Sequence, residues 1–526
     1  MNIRDIIKNS NLIKDVLGKT DIDVAGISND SRNIKRGWLF AARKGTNVDS
    51  NIYIDEAISK GASAILTDAP ETAERLKNKD IVIILAENAL KAYAVISKNF
   101  FENPAEKLKI AGITGTNGKT TTTFLIKSIL TAAGSKTGLI GTIDYEIGGG
   151  FAPSKNTTPD AFELNRMFSE TVKSGGSCCV MEVSSHSLVQ DRVYGVPFDV
   201  AVFTNLTRDH LDYHENMDKY YSAKKKLFSE ILSESSKTKK FAAINSDDPY
   251  GKRLLGELKE EFGGKDEIGL LAYGLDEDCD ISAKNINYYR GGLKLDIIFP
   301  DGNTAKGIRS NLIGGYNVYN ILAAVSAAYA LSASEGSIVS GIESLENVPG
   351  RVEKINTGNA RSPLICVDYA HTDDALKRVL SSLRNIISGG KLISVFGCGG
   401  DRDKGKRPLM GMHSADIADI SIITSDNPRS EDPLSIIREI ETGIKKGQFV
   451  DKEKLKDKVN GQVYNGHVYT IEEDRANAIR LALSLASEED AVLVAGKGHE
   501  DYMIVKENRF HFSDKEEILK YYENRI

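Results

Sequence analysis

The sequence predicts an α/β chain of three domains: a central P-loop domain on a parallel sheet, flanked by α/β domains of which the C-terminal one is Rossmann-like. Three observations carry that expectation. Short apolar runs alternate with helical patterns along the chain, the runs of the middle region are apolar on both faces, and one of them leads through glycines into a Gly-Lys-Thr helix start.

The N-terminal hundred residues carry apolar runs at 38–42, 64–66 and 81–85 and a helical pattern at 54–60, which reads as a small α/β domain. The polar segment 101–107 holds Pro104 and precedes a new apolar run, so the first domain is 1–103. Two-sided apolar runs then recur at 110–113, 137–143, 178–183, 200–206 and 241–244, the pattern of parallel strands covered on both faces. A second boundary near Asn347-Val348-Pro349-Gly350 closes a central domain at 104–346. In 347–526 the pattern restarts with runs at 364–367, 392–396, 420–424 and 491–495, separated by helices at 375–387 and 475–486, in a doubly wound style.

Composition narrows the function classes. A chain of 526 residues, 41% hydrophobic, is long enough for several cores. Its 68 Lys and Arg against 74 Asp and Glu leave a net charge of -6, which gives no broad cationic surface for nucleic acid or anionic lipid. The start Met1-Asn2-Ile3-Arg4-Asp5 lacks a secretory pattern, and no run reaches membrane-spanning length. Five cysteines (Cys178, Cys179, Cys279, Cys366, Cys398) without C-x-x-C spacing argue against a disulfide framework and a thiolate zinc site. A monomer in a reducing cytoplasm, acting on small molecules, is expected.

The sharpest signal is Ile110-Ala111-Gly112-Ile113-Thr114-Gly115-Thr116-Asn117-Gly118-Lys119-Thr120-Thr121. Glycines let backbone N–H groups turn inward, a helix N-terminus adds positive potential, Lys119 reaches the β- and γ-phosphates, and Thr120 offers a hydroxyl to Mg²⁺. The strict Walker pattern would place glycine at position 113, where Ile113 stands, so this loop is a variant. ATP binding alone leaves kinase, motor, regulator and ligase open.

Further ordered motifs follow: Asn156-Thr157-Thr158-Pro159-Asp160, Met181-Glu182-Val183-Ser184-Ser185-His186, Asn205-Leu206-Thr207-Arg208-Asp209-His210, Tyr220-Tyr221-Ser222-Ala223-Lys224, Gly315-Tyr316-Asn317 and Asp368-Tyr369-Ala370-His371-Thr372. With the loop Thr114-Gly115-Thr116-Asn117-Gly118-Lys119-Thr120 they resemble the Mur ligase family, which includes folylpolyglutamate synthases, over essentially the whole chain. The resemblance implies the three-domain Mur ligase architecture. Gly399-Gly400-Asp401-Arg402-Asp403-Lys404-Gly405-Lys406-Arg407-Pro408, Asp426-Asn427-Pro428-Arg429 and Gly496-Lys497-Gly498-His499-Glu500 are similar to the members that add the third residue of the peptidoglycan stem peptide. The implied reaction joins meso-diaminopimelate to UDP-MurNAc-L-Ala-D-Glu, with ATP and Mg²⁺, through an acyl phosphate. A lysine-adding enzyme or a folylpolyglutamate synthase-like ligase is the alternative, and a slow nucleotide-hydrolysing regulator is the non-ligase rival.

The resemblance implies roles residue by residue. Lys119, Glu182, His210 and Lys224 match catalytic positions, with Thr120, Glu182, His210 and Lys224 (as a carbamate) placed to hold metal. Gly115, Thr116, Asn117, Gly118, Lys119, Thr120, Thr121, Asn317 and Arg351 match ATP contacts. Ser31, Asn156, Thr157, Thr158, Ser184, Gln190 and Arg192 match the UDP-substrate positions. Arg402, Asp426, Asn427, Pro428, Arg429, Gly496 and Glu500 match the diaminopimelate pocket. Residue types alone leave other readings open: His210 as a turn histidine bonded to Asp209 or Asp212, Lys224 as a surface lysine in the run 224–226, Arg429 in a surface salt bridge with Glu431 or Asp432. The serines and threonines equally suit helix caps. Two departures from the family pattern stand out, Asp49-Ser50-Asn51-Ile52-Tyr53 in place of Asp-Gly-His plus an aromatic, and Asp373 in place of proline, which is expected to loosen a turn.

Overall fold

The computed structural model describes residues 1–8, 10–43, 49–263, 268–387, 389–455 and 466–523. By contact the chain divides into two units, residues 1–283 with 297–305 and 319–342, and residues 284–296 with 306–318 and 343–526.

The first unit opens with a five-stranded sheet in the order Ile13–Leu17, Val82–Ala86, Ala64–Thr67, Trp38–Ala41, Gly26–Ser28. All neighbours run parallel except Ile13–Leu17, which pairs antiparallel with Val82–Ala86. Leu39, Leu66 and Ile84 are fully buried on one face, as alternation along strands of branched residues requires. The variant segment at Asp49 forms a short 3₁₀ turn, Ser50–Tyr53, whose Asp49 side chain accepts from Asn51 N–H at 2.9 Å.

A second sheet follows in this unit. Its parallel centre runs Gly269–Gly274, Phe241–Asn245, Val200–Phe203, Lys109–Thr114, Cys178–Glu182, Thr137–Ile140. Lys109–Thr114 therefore lies between two strands, with Phe203 opposite Thr114 and Glu182 opposite Ile113. The C-terminal ends of all three meet at one edge, where open α/β sheets bind ligands. Antiparallel strands lengthen the sheet at one side, where Asp144–Ile147 and Gly150–Pro153 pair on from Thr137–Ile140, and at the other Tyr273 and Gly274 pair in parallel with Ile281 and Ser282.

The apolar run 137–143 is not one strand, because the strand stops at Ile140. At Gly141 a Cβ would stand 2.5 Å from Glu182 Oε1, so the backbone turns there against a carboxylate and pairing ends.

The second unit carries a seven-stranded sheet in the order Glu353–Lys354, Leu364–Asp368, Ala491–Ala495, Leu392–Phe396, Ile420–Ile423, His467–Ile471, Gly447–Phe449. Every pairing is parallel except that of Glu353–Lys354, and separate apolar clusters cover the two faces. This is the doubly wound arrangement expected. Asp373 does not loosen a turn: it opens the helix Asp373–Ile386, capped by Thr372, where a carboxylate favours the N-terminal dipole. No described helix is long and apolar enough to cross a membrane.

Candidate functional site

The phosphate loop leaves the strand Lys109–Thr114 and enters the 14-residue helix Lys119–Ala132. Gly115 and Gly118 sit at φ 147° and 87°, a region side chains resist. At Gly115 a Cβ would stand 1.9 Å from Thr204 Oγ1. The loop is laced to the turn after Val200–Phe203. Thr116 N–H donates to Asn205 O (2.8 Å), Asn117 N–H to Asn205 Oδ1 (3.0 Å), and Thr204 Oγ1 to Asn117 O (2.6 Å). Lys119 bends back over the loop, its Nζ donating to Gly115 O (3.0 Å) and Thr116 O (2.9 Å). Thr120 and Thr121 are buried at the helix start.

Glu182 ends its strand only 1% exposed. Thr120 Oγ1 donates to its Oε1 (3.0 Å), Thr142 N–H donates to the same oxygen (2.8 Å), and Thr142 Oγ1 donates to Oε2 (3.1 Å). A hydroxyl and a carboxylate are the hard oxygen donors that suit Mg²⁺. Among the described residues, no three His, Cys, Asp or Glu side chains group as a metal site on their own.

Lys224 lies on the helix Met217–Lys226, which continues as a π-helical stretch, Leu227–Leu232. It is 1% exposed, so the surface reading fails for this residue, whereas Lys225 pairs with Glu257 at 3.0 Å. Its Nζ donates to Gly115 O (2.8 Å) and stands 4.6 Å from the centre of the Tyr220 ring. Burial, then the nearby Lys119 ammonium, hold its pKa well below the ordinary lysine value. His210 begins the short helix Leu211–His214 at φ 52°, with Asp209 as its neighbouring carboxylate (3.5 Å). Its ring lies edge-on to His186, 5.0 Å between centres, and burial lowers its pKa.

A cavity of about 190 Å³ in the same unit gathers three of the expected substrate positions, Asn156, Gln190 and Arg192, with Asn29, Arg43, Tyr93 and Asp160. Arg192 donates to Thr158 O (2.7 Å) and Gln190 Oε1 (2.7 Å), which fixes its guanidinium at the wall. Ser31 donates to Glu56 Oε2 (3.0 Å), and Thr157 Oγ1 meets Thr142 Oγ1 (3.1 Å). Thr158, 1% exposed, donates to Glu182 O (2.9 Å), and Ser184 caps the helix Ser185–Val189 through Ser187 N–H. Thr158 and Ser184 thus already have framework partners.

In the second unit, Asn317 Nδ2 donates to Ile313 O (2.7 Å) and the Arg351 guanidinium stacks over Tyr369, 5.0 Å from its centre. Asp368 accepts N–H from Val352 and Ala370 (both 2.7 Å), and burial raises its pKa. His371 Nδ1 bonds Tyr369 O (2.8 Å). Two loops carry the expected amino-acid positions. Arg429, at φ 51°, donates from Nη1 to Gly400 O (2.7 Å), and its backbone joins the hairpin strand Tyr502–Val505 through Ile504 O (3.1 Å). Its surface salt bridge is absent, since Glu431 is taken by Arg407 (2.8 Å) and Lys404 (3.2 Å). Arg402 lies beside this loop, donating to Asp401 O (3.3 Å). Asn427 Nδ2 donates to Glu500 Oε2 (3.0 Å) next to Pro428, and burial raises the Glu500 pKa. At Gly496, φ 117°, a Cβ would meet Asp426 Oδ2 at 2.4 Å.

Several residues here were not singled out from sequence: Thr142, Asn205, Arg43, Tyr93 and Arg407, and with them Arg475 and Lys497, which are buried in the second unit. Arg407 and Lys497 lie inside quoted motifs, and a buried cation there was the available signal. Thr142 and Arg43 carry no local signal, because strand register and chain return bring them in.

Comparison with known proteins agrees with this geometry. The Mur ligase catalytic-domain model of the Mur ligase family matches residues 23–116, the Mur ligase middle domain matches 113–328, and the Mur ligase glutamate ligase domain matches 350–498. The chain is 41% identical over 519 residues to the UDP-N-acetylmuramoyl-L-alanyl-D-glutamate–2,6-diaminopimelate ligase of Clostridium tetani (strain Massachusetts / E88), covering 98% of each. It is 41% identical over 500 residues to the protein of the same name from Bacillus licheniformis, covering 95% of this chain and 94% of that one. A solved structure of a ligase of that name superposes with a TM-score of 0.70 at 29% identity, covering 100% of this chain and 99% of that one. With relatives this similar along nearly its full length, and three domain models matched in order, the chain belongs to the Mur ligase family.

Proposed function

We propose that this chain is an ATP-dependent ligase that joins diaminopimelate to UDP-MurNAc-L-Ala-D-Glu in peptidoglycan precursor synthesis. A carboxylate is a poor acyl donor, so its oxygen takes the γ-phosphoryl group first and the resulting acyl phosphate is attacked by the amine, releasing phosphate. The relatives' shared name supports the substrates. The observation that carries the chemistry is the meeting of a phosphate loop, Glu182 on Thr120, and a buried lysine on Gly115 O.

In this reading Lys119 and the N–H groups of residues 115–121 hold the triphosphate. Thr120 and Glu182 would hold Mg²⁺, which when bound would offset the charge between ATP and the carboxylate. Burial holds the Lys224 pKa well below the ordinary lysine value, the direction that favours the neutral amine a carbamate requires, and His210 stands at the same edge. Asn317 and Arg351 serve the nucleotide. The cavity with Asn156, Gln190 and Arg192, together with Ser31, Thr157, Thr158 and Ser184, serves the UDP-sugar peptide. Arg402, Arg429, Asp426, Asn427, Pro428, Gly496 and Glu500 serve diaminopimelate. The assigned domains are 1–103 for the UDP-sugar, 104–346 for ATP and 347–526 for the amino acid, in a cytoplasmic monomer.

Phosphate release measured with ATP, Mg²⁺, the UDP-sugar dipeptide and diaminopimelate, each omitted in turn, tests this. Release that needs all of them supports the ligase. Release without either acceptor or donor would make it a hydrolase or regulator.

A further inference from the structure

The second unit holds a fully buried ammonium that none of the assigned roles uses. Lys497 is 0% exposed. Its Nζ donates to Tyr502 O (2.6 Å) and Asn427 Oδ1 (3.1 Å), with Asp426 Oδ1 at 3.7 Å and Glu500 Oε2 at 4.0 Å. A buried cation needs compensation, and here two carboxylates flank it without either making a close pair. Arg475, the other buried cation nearby, is already matched by a two-pronged contact to Asp514 (2.7 Å each). Within this cluster two carboxylates, those of Asp426 and Glu500, face one ammonium.

The amide of Asn427 is the relay. Its Oδ1 accepts from Lys497 Nζ and from Ile504 N–H (2.9 Å), so both donors press the oxygen to one side. That turns Nδ2 towards Glu500 Oε2 (3.0 Å), and the Tyr502 hydroxyl is a further hydrogen-bond partner of the same carboxylate. Flipping the amide would set two acceptors against each other at Glu500 and strand Lys497.

We infer that Lys497 is a positioning residue: with Ile504 N–H it holds the Asn427 amide, whose Nδ2 aims the Glu500 carboxylate at the second amine of the incoming amino acid. This rests on reading the second unit as the amino-acid pocket. It divides the pocket's labour, with the arginines at 402 and 429 meeting a carboxylate and the Lys497–Asn427–Glu500 relay meeting an amine.

The test compares full-length wild type and Lys497→Met with two amino acids, diaminopimelate and 2-aminopimelate, which keeps both carboxylates but lacks the second amine. Losing one charge-assisted contact predicts a KM for diaminopimelate raised about 10- to 100-fold. The kcat at saturation and the KM for ATP stay within about threefold, and 2-aminopimelate is unaffected. The preference for the diamine therefore collapses. If both amino acids weaken equally, or neither does, the inference is overturned. Should Lys497→Met not fold, the double variant Lys497→Met/Glu500→Gln, which also removes the carboxylate the ammonium balances, decides: recovered folding supports the relay, and failure in both backgrounds makes Lys497 a core residue only. If wild type shows no preference for the diamine, the reading of the pocket fails, a result distinguishable from a failure of Lys497→Met alone.

Discussion

Replacing Lys224 by methionine should make the protein more stable and much less active. The Lys224 amine has one close acceptor, Gly115 O at 2.8 Å, and a Tyr220 ring at 4.6 Å, and it carries no carboxylate partner among the described ion pairs. Methionine fills a similar volume, loses about 1 kcal/mol of hydrogen bond, and removes the cost of holding an ionisable amine out of water, on the order of several kcal/mol. The net gain is about 1–3 kcal/mol at pH 7, roughly 2–6 °C in the melting of the unit that contains it.

The pH dependence has a definite sign. Because burial lowers the folded pKa of Lys224 below 10.5, the unfolded chain binds more protons there between the two values. Wild-type stability therefore rises with pH towards 10.5, and the advantage of Lys224→Met shrinks as it does. Scanning calorimetry of both proteins from pH 7 to 10 in CO₂-depleted buffer checks this. A variant less stable than wild type at pH 7, or a difference that grows with pH, would refute the claim that the fold holds this amine out of water at a cost. Turnover should fall by about 10²-fold or more and recover in part with added short carboxylic acids if a carboxylate belongs at that position.

Three further outcomes are expected. Gly141→Ala places a methyl 2.5 Å from Glu182 Oε1, so the buried carboxylate must shift, stability should fall by about 1–3 kcal/mol and phosphate release should drop at least tenfold; unchanged turnover would separate Glu182 from the chemistry. Arg429→Leu should narrow the preference for diaminopimelate over lysine by about 10- to 100-fold, as expected when a guanidinium–carboxylate contact is lost, read from the ratio of kcat/KM values. The raised pKa of Glu500 means the amino-acid pocket loses its negative charge as pH falls, beginning above the ordinary carboxylate value of 4.5, so the KM for diaminopimelate should climb on acidification, and a flat profile from pH 7 to 5 would remove Glu500 from ammonium binding.

What the sequence made legible is whatever the chain encodes within a few residues. The phosphate loop could be read because strand, glycines, lysine and helix are contiguous, and Gly115 and Gly118 do adopt the conformations that require glycine. The doubly wound sheet of the second unit was readable for the same reason, since each buried strand is a self-contained apolar run. Lys224 shows where local reading divides. The run 224–226 looks like a solvated face, yet Tyr220, Tyr221, Ala223 and Leu227 mark a buried stripe at helical spacing, and Lys224 falls within it. That stripe, weighed against the charge run, was the signal for burial.

The remaining features depend on which strands become neighbours. Glu182 receives Thr120 from one adjacent strand's loop and Thr142 from the turn after the other, contacts separated by 62 and 40 positions in the chain. Only the order of the parallel strands brings all three together, and that order also explains why Gly141 must be a glycine. The same holds for Arg407, whose partners Glu431 and Glu439 lie on a later loop and helix. Buried cations of this kind are paired by topology, so their partners stay hidden until the sheet is assembled, whereas the motif that contains each of them is visible from the start. The site's chemistry was thus announced by short motifs, and its charge balance, on which Lys224 and Lys497 both depend, is a property of the fold.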